Sequence, residues 1–290
     1  MEVMRRRSGM YSAALKVVDS QQNVETQIEA ARKLIPDVDA LILTPVATTG
    51  PEVILEMATE RGIPVVVEAN PLAGMQTMIA ICDYDAGVKV GRWVGEYAGE
   101  YLKAPLKVLD IALPWLHPCL LRSEGFADGL RSVNPDARVM ARVNGEAIPA
   151  VAKRQAVTVL QDCRAINVIF AMDDESAEGG LEGYLECGLD PKKVVVAGFG
   201  LSGDKEKDLL MQGAPLKVSA AMFPEYVAVQ CVDQLFRLCR GERVRRHQVT
   251  PTLAVSSSDL SKYYRKSGGQ WCPDLKAVAS LPVEGTCSKE

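Results

Sequence analysis

Apolar and polar positions alternate along this chain in two rhythms, and one compound pattern occurs twice. Ala40-Leu41-Ile42-Leu43 is a short continuous apolar run that follows Asp39 and leads into Thr44-Pro45. A stretch with helical spacing comes next, stops at Gly62, and gives way to Pro64-Val65-Val66-Val67-Glu68. The same order returns in the second half. Asn167-Val168-Ile169-Phe170-Ala171-Met172 ends at Asp173, a helical stretch stops at Gly188, and Val194-Val195-Val196-Ala197 follows. Leu41 and Val65 are 24 residues apart, Val168 and Val194 are 26 apart. Each segment reads as strand, polar loop, helix, glycine stop, strand. Continuous apolar runs fit parallel strands buried on both faces. One such βαβ unit in each half predicts two similar α/β lobes, and two facing lobes make a cleft for a small molecule.

The remaining pattern extends this alternation. Val24, Ile28, Ala31 and Ile35 give a helix closed by Pro36. Strands are expected at 41–45 and 64–68, with a helix between Pro51 and Gly62. A helix capped by Asp85 runs to about Leu102, and Lys107–Ala112 is a strand. Helices near 121–132 and 150–162 flank a strand at 138–143. A strand at 216–221, a helix ending at Gly241 and a strand at 252–255 complete the pattern. The tail after Ser256 shows little periodicity. Strands alternating with helices at this spacing predict parallel sheets. The lobes are expected to be 1–104 plus 223–251 and 105–222 plus 252–290, joined by crossovers near 103–107, 222–224 and 250–252.

Composition narrows the function. At 290 residues the chain is long enough for two ordinary cores, and 48% hydrophobic with 24% charged residues is the balance of a soluble globular protein. A net charge of −4 argues against a nucleic-acid partner. Arg243-Val244-Arg245-Arg246 reads as a solvated turn. No apolar run reaches the roughly 18 residues that span a bilayer, so no membrane insertion is expected. Met1 to Arg7 is basic like the start of a signal peptide, but no apolar segment follows it. None of the eight cysteines forms a CxxC pair, so no zinc or thioredoxin-type site is expected. Cys272 and Cys287 are a candidate disulfide in an oxidising compartment.

Catalytic and cofactor signals are lacking. There is no dinucleotide or P-loop fingerprint, and the glycines of Gly198–Gly203 fit a tight loop better than a phosphate cradle. His117 and His247 lie in separate segments with no triad or metal-ligand spacing. No metal, cofactor or enzymatic activity is expected. The candidate ligand residues sit after strands. Asp173 ends strand 168–172, where α/β proteins place their ligands. Asp174 is expected to cap the following helix, with Glu175 favourable in its first turn. Arg122 lies near the start of a helix, where a cation opposes the helix dipole unless an anionic or strongly polar group pairs with it. That group is either a ligand or a carboxylate in a surface or inter-lobe ion pair. Trp115, in the loop before that helix, suits either stacking on a ligand ring or lobe packing.

These segments resemble the type I periplasmic solute-binding proteins, in the ribose/galactose-binding branch of sugar ABC transporters. The resemblance rests on Asp19-Ser20-Gln21-Gln22-Asn23, Val38-Asp39-Ala40-Leu41-Ile42 and Gly62-Ile63-Pro64-Val65-Val66. It continues through Asp83-Tyr84-Asp85-Ala86-Gly87, Arg122-Ser123-Glu124-Gly125-Phe126 and Phe170-Ala171-Met172-Asp173-Asp174. It implies two Rossmann-like, flavodoxin-like lobes with a three-crossover hinge. The implied protein is a monomer that closes on a small polar, sugar-like ligand and delivers it to an ABC permease. The implied location is the periplasm or the cell surface. Arg122 matches the family's cleft arginine, and Asp173 falls where sugar binders usually have Asn. Asn70 falls on an Arg position and Ala69 on an Asp position of ribose-type members. Gly200 stands where Asp is common, and Met222 where Gln is found. Several hydroxyl partners are thus absent, which removes ribose as the ligand. Arg122, Asp173, Asn70 and Trp115 remain as candidate ligand residues. Family members also carry a strand and a helix before the segment matching Lys16–Asp19. The expectation is therefore that the first strand of the N-terminal lobe is missing through truncation or a misassigned start. The rival readings are the effector-binding core of a lac-repressor-type regulator and a Rossmann-type enzyme.

Overall fold

Strands form where the apolar runs predicted them, two more form at Thr77–Ala80 and His247–Val249 where none was expected, and together they assemble into two separate sheets. The structure is a computed structural model and describes residues 1–283. The chain divides into two units. Unit 1 comprises Met1–Ile81 and Pro224–Thr250, and unit 2 comprises Cys82–Phe223 and Pro251 onward.

Unit 1 holds a four-stranded parallel sheet in the order β1-β2-β3-β9, from β1 (Leu41–Leu43), β2 (Val65–Glu68), β3 (Thr77–Ala80) and β9 (His247–Val249). The helices are α1 (Glu2–Gly9), α2 (Val24–Leu34), α3 (Glu52–Glu60) and α9 (Pro224–Cys239). Asn23 caps α2 by accepting from Thr26 N, which leaves the apolar stripe predicted for that helix facing the core. Ile54, Ala58, Val65 and Val67 pack on one side of the sheet with Ile35 and Leu43. Val66 and Ile79 meet Val227 and Cys231 of α9 on the other. In α1, Arg7 donates from Nε to Asp233 Oδ1 at 2.6 Å, and Tyr11 stacks on Phe236. Among the described residues β1 has one strand neighbour, β2.

Unit 2 holds a six-stranded sheet in the order β10-β8-β7-β6-β4-β5. Its strands are β4 (Lys107–Ala112), β5 (Arg138–Asn144), β6 (Val168–Ala171), β7 (Val195–Gly200), β8 (Leu216–Ala221) and β10 (Leu253–Ser256). Five run parallel, and β10 joins β8 antiparallel. The parallel strands follow the doubly wound flavodoxin-like order, and the winding reverses where β4 lies between β5 and β6. The helices are α4 (Asp83–Leu102), α5 (His117–Val133), α6 (Pro149–Asp162), α7 (Asp174–Glu186) and α8 (Asp204–Met211).

Two differences from the sequence expectation stand out. The first crossing between units falls at Ile81/Cys82 rather than within 103–107. Helix α4, expected in the first lobe, packs against α5 in the second. Glycine explains the pairing. Gly87 and Gly91 of α4 lie against the backbone of Arg122 and Phe126, and Gly125 and Gly129 of α5 lie against that of Tyr84 and Val88. A Cβ at any of these four positions would overlap a main-chain oxygen, so the two helices touch backbone to backbone. The chain passes between the units again at Phe223/Pro224 and Thr250/Pro251.

The second difference is the tail. It folds into α10 (Leu260–Tyr263), an antiparallel hairpin of β11 (Tyr264–Ser267) and β12 (Gln270–Pro273), and α11 (Leu275–Ala279). Trp271 fastens the hairpin to α8 by donating from Nε1 to Asp208 Oδ1 at 2.9 Å. A turn at Gly268-Gly269 and one anchoring indole are too short a signal for periodicity to detect. Cys272 lies in β12 with a free thiol, whereas Cys287, its candidate partner, lies outside the described residues.

Candidate functional site

The site is best built from the reversal of the unit 2 sheet. Ligands of doubly wound sheets bind beyond the carboxyl ends of the strands at that point. There the loop after β4 leads into α5, and the end of β6 leads into α7. Backbone strain gathers along the same edge. Glu146 and Ala147 after β5, Leu201 after β7 and Phe223 after β8 all have positive φ. Gly200, at φ 126°, adopts a conformation only glycine takes easily.

Arg122 is the centre of this edge. It sits in the second turn of α5, where the glycine contacts bring the start of α4 alongside. Asp83, in the first turn of α4, therefore reaches it. Arg122 Nε donates to Asp83 Oδ1 at 2.6 Å, and Nη1 donates to the Met172 carbonyl at 3.0 Å. The guanidinium lies over the Phe199 ring, 4.3 Å from its centroid. The Arg122 side chain is 15% exposed and that of Asp83 is 6% exposed. Burial is the largest influence and pulls the Arg122 pKa down, but Asp83, Cys119 and Asp173 together leave it raised. Burial pushes the Asp83 carboxyl up and the guanidinium opposes it. The short charge-assisted contact identifies an ion pair. The anionic group that Arg122 required is thus a carboxylate of its own unit. Nη2 is left without a hydrogen bond among the described residues.

The helix cap falls on Asp173 rather than on Asp174. Asp173 is the helix cap, since its Oδ1 accepts from Ser176 N at 2.6 Å. Asp174, expected to cap, is buried beneath the glycine loop. Its Oδ1 accepts from Ser219 Oγ at 2.8 Å and its Oδ2 from Ser202 N at 3.3 Å. Its carboxylate fills the space that side chains would occupy at Gly198 and Gly200, 2.7 and 2.9 Å from their ideal Cβ positions. Burial pushes the Asp174 pKa up to about 7, with Ser219 opposing and Glu206 adding to the shift. A loop lined this way repels phosphate, so the glycines of 198–203 serve a buried acid. The cap lands on Asp173 because β6 ends at Ala171, Asp173 is extended and Asp174 is the first helical residue.

The other two candidates are described by their own surroundings. Trp115 is 64% exposed in the loop before α5 and stacks on no described aromatic ring. Asn70, in unit 1, is buried after β2, and its Nδ2 donates to the Pro45 carbonyl at 2.7 Å. The structure thus brings Arg122 and Asp173 together through Met172 within unit 2. Sequence reading missed Asp83, Phe199, Cys119 and Met172. Cys119 and Met172 form an apolar wall with Leu113, and burial pushes the Cys119 thiol up. The glycine spacing of 87, 91, 125 and 129 was the available signal for the contact of Asp83 with Arg122.

A family described as a periplasmic binding protein domain matches residues 2–243. The chain belongs to that family. The galactofuranose-binding protein YtfQ of Escherichia coli (strain K12) is 25% identical over 265 residues, covering 88% of this chain and 73% of that protein. An ABC transporter periplasmic solute-binding protein of Actinobacillus succinogenes 130z, solved with bound D-allose, superposes with a TM-score of 0.83 at 18% identity. The match covers 90% of this chain and 93% of that one. A solute-binding protein of Bacillus halodurans C-125 with bound myo-inositol gives 0.77 at 18% identity, over 89% of each chain. The fold is that of the type I periplasmic binding proteins, and solute binding is the function of the family. The regulator and enzyme readings gain nothing from these relatives. No helix among the described residues is long and apolar enough to cross a membrane.

Proposed function

We propose that this solute-binding protein takes a sugar or sugar-like polyol in the periplasm and passes it to the permease of an ABC importer. The observation that carries the reading is Arg122 at the reversal of the unit 2 sheet. Its guanidinium is held by Asp83, Met172 and Phe199, and its Nη2 edge remains for an acceptor. Asp173 keeps Oδ2 for a hydroxyl donor while Oδ1 caps α7. A donor edge beside an acceptor oxygen matches a vicinal diol, whose hydroxyls both give and accept hydrogen bonds. The ligands bound in the related structures, D-allose and myo-inositol, have this chemistry. Trp115 offers an exposed face for a sugar ring. For Asn70 we propose a ligand contact through Oδ1 from the strand end of unit 1.

A thermal-shift screen of neutral aldoses, pentoses and cyclitols tests the reading, followed by calorimetry on Arg122→Ala. Losing one partner of a buried charged hydrogen-bond set costs about 2–5 kcal/mol. Affinity should therefore fall by roughly 30-fold or more at about 1.4 kcal/mol per decade. The variant also takes the guanidinium away from the buried Asp83 carboxyl, so the measurement belongs well below its melting temperature. A screen in which no neutral sugar or polyol stabilises the protein, or an Arg122→Ala variant that binds like the parent, defeats the reading.

A further inference from the structure

The structure assigns to Asp83 a role beyond packing: it positions Arg122 and neutralises it, so that unit 2 accepts uncharged polyhydroxy ligands and rejects their acids. The inference deepens the sugar-binding reading and rests on it for the choice of ligands. An arginine at a strand-end site is ordinarily an anion receptor, because its fork matches a carboxylate or phosphate. Here the fork is already engaged. Asp83 Oδ1 takes Nε at 2.6 Å, the Met172 carbonyl takes Nη1, and the Phe199 ring covers one face. Asp83 takes the Nε side of the fork, so what remains for a ligand is the Nη1–Nη2 end of a guanidinium whose charge a carboxylate already balances. The charge balance points the same way. The carboxylates that act on the guanidinium are Asp83 and Asp173, two acids against one cation. An acid ligand would be placed beside Asp173 and against a guanidinium that Asp83, itself near His117, already balances. Like charges brought together in a binding site cost several kcal/mol.

The placement of Asp83 is a product of the fold. Without the contacts of Gly87 and Gly125, α4 would stand off from α5 and its first turn would not reach Arg122. The carboxylate therefore comes from the first turn of α4, across the helix contact from Arg122, which suits a residue that acts through another.

The test uses the full chain and two variants, Asp83→Asn and Asp83→Glu. Thermal shift and calorimetry compare L-arabinose, D-allose, D-galactose and myo-inositol with D-galacturonate and D-glucuronate. The parent should bind from the neutral set and not from the acids. In Asp83→Asn the preference for neutral ligand over acid should fall at least about tenfold, near 1.4 kcal/mol, through weaker neutral binding and gained acid binding. A purely structural role would weaken both ligand classes equally. Asp83→Glu keeps the charge, so the preference should survive even where affinity drops; its loss overturns the proposal, also where Asp83→Asn does not fold. Nitrogen-15 spectra supply an arm that needs no ligand. The Arg122 Nε–H signal, identified by its loss in Arg122→Lys, should exchange slowly at neutral pH in the parent and rapidly in Asp83→Asn. Equal exchange in both, or a parent that prefers the acids, overturns the proposal. If nothing neutral binds the parent, the sugar reading fails on its own. Asp83 is then judged by whether Asp83→Asn gains D-galacturonate binding, and no gain rejects its role.

Discussion

Unit 1 and unit 2 are built from the same βαβ pattern, but they secure it differently. The strands of unit 1 are three or four residues long, and its outermost strand β1 has a single strand neighbour among the described residues. The parallel strands of unit 2 run four to seven residues, and its helices interlock through glycine. Unit 2 also buries polar groups in matched sets. Asp110 on β4 accepts from Arg142 Nε at 2.6 Å and from Ser123 Oγ at 2.9 Å, alongside the Asp83–Arg122 pair. Unit 1 relies on aliphatic packing around Ile54, Val66 and Ile79. The difference shows where a binding protein of this design keeps its precision. Charged groups held to a few tenths of an ångström need rigid surroundings, and unit 2 supplies them.

The comparison breaks most sharply at the α4–α5 contact. Gly91→Leu places a side chain where the Phe126 carbonyl lies. Forced separation of the helices should cost more than about 3 kcal/mol. At about 2–4 °C per kcal/mol for a domain of this size, calorimetry should show the unit 2 transition falling by roughly 6–12 °C or more. An unchanged transition would mean that α4 does not rest on α5 as described.

Asp174 probes the buried acids next. Its folded pKa, about 7, lies above the ordinary carboxyl value because of burial. The folded chain therefore holds that proton more tightly than the unfolded chain does. The stabilisation is complete below about pH 4 and is lost as pH rises through about 7. Three units correspond to about 4 kcal/mol. Denaturant titrations of Asp174→Asn should lose a slope of that order between pH 4 and 7, against a residual slope from Asp83 and Asp110, whose pKa values are also raised by burial. Parallel profiles for parent and variant would remove Asp174 from the account.

Ile54→Ala tests the aliphatic unit. Ile54 is fully buried in α3, and truncating such a residue costs about 2–5 kcal/mol. The loss should appear in the unit 1 transition and leave the Arg122 Nε–H signal in place. The smallest effect concerns β1. Leu41 N donates to the Pro64 carbonyl, so the next amide, Ile42, turns toward the edge without a strand. Hydrogen exchange at Ile42 should run at least about a hundredfold faster than at Ile169, whose strand β6 is flanked by β4 and β7. Comparable protection at both would show that another strand covers β1.

The sequence by itself determined the repeated βαβ units, the parallel sheets and the position of most elements. Continuous apolar runs, glycine stops and caps such as Asn23 act over a few residues and are read locally. It also placed Arg122 where a helix dipole demands a negative partner. What it left open was the identity of that partner. Asp83 is 39 residues away in the chain, and nothing local links the two. Their meeting depends on two helices approaching backbone to backbone, which glycine permits but does not announce. The placing of the cap on Asp173 has the same origin, since a strand ending at Ala171 decides which carboxylate caps and which is buried. The crossing at Ile81/Cys82 likewise depends on α4 packing against α5, a contact between surfaces distant in sequence. Tertiary structure decided these points because each is a choice between two locally acceptable arrangements, and long-range packing and the burial of charge select one.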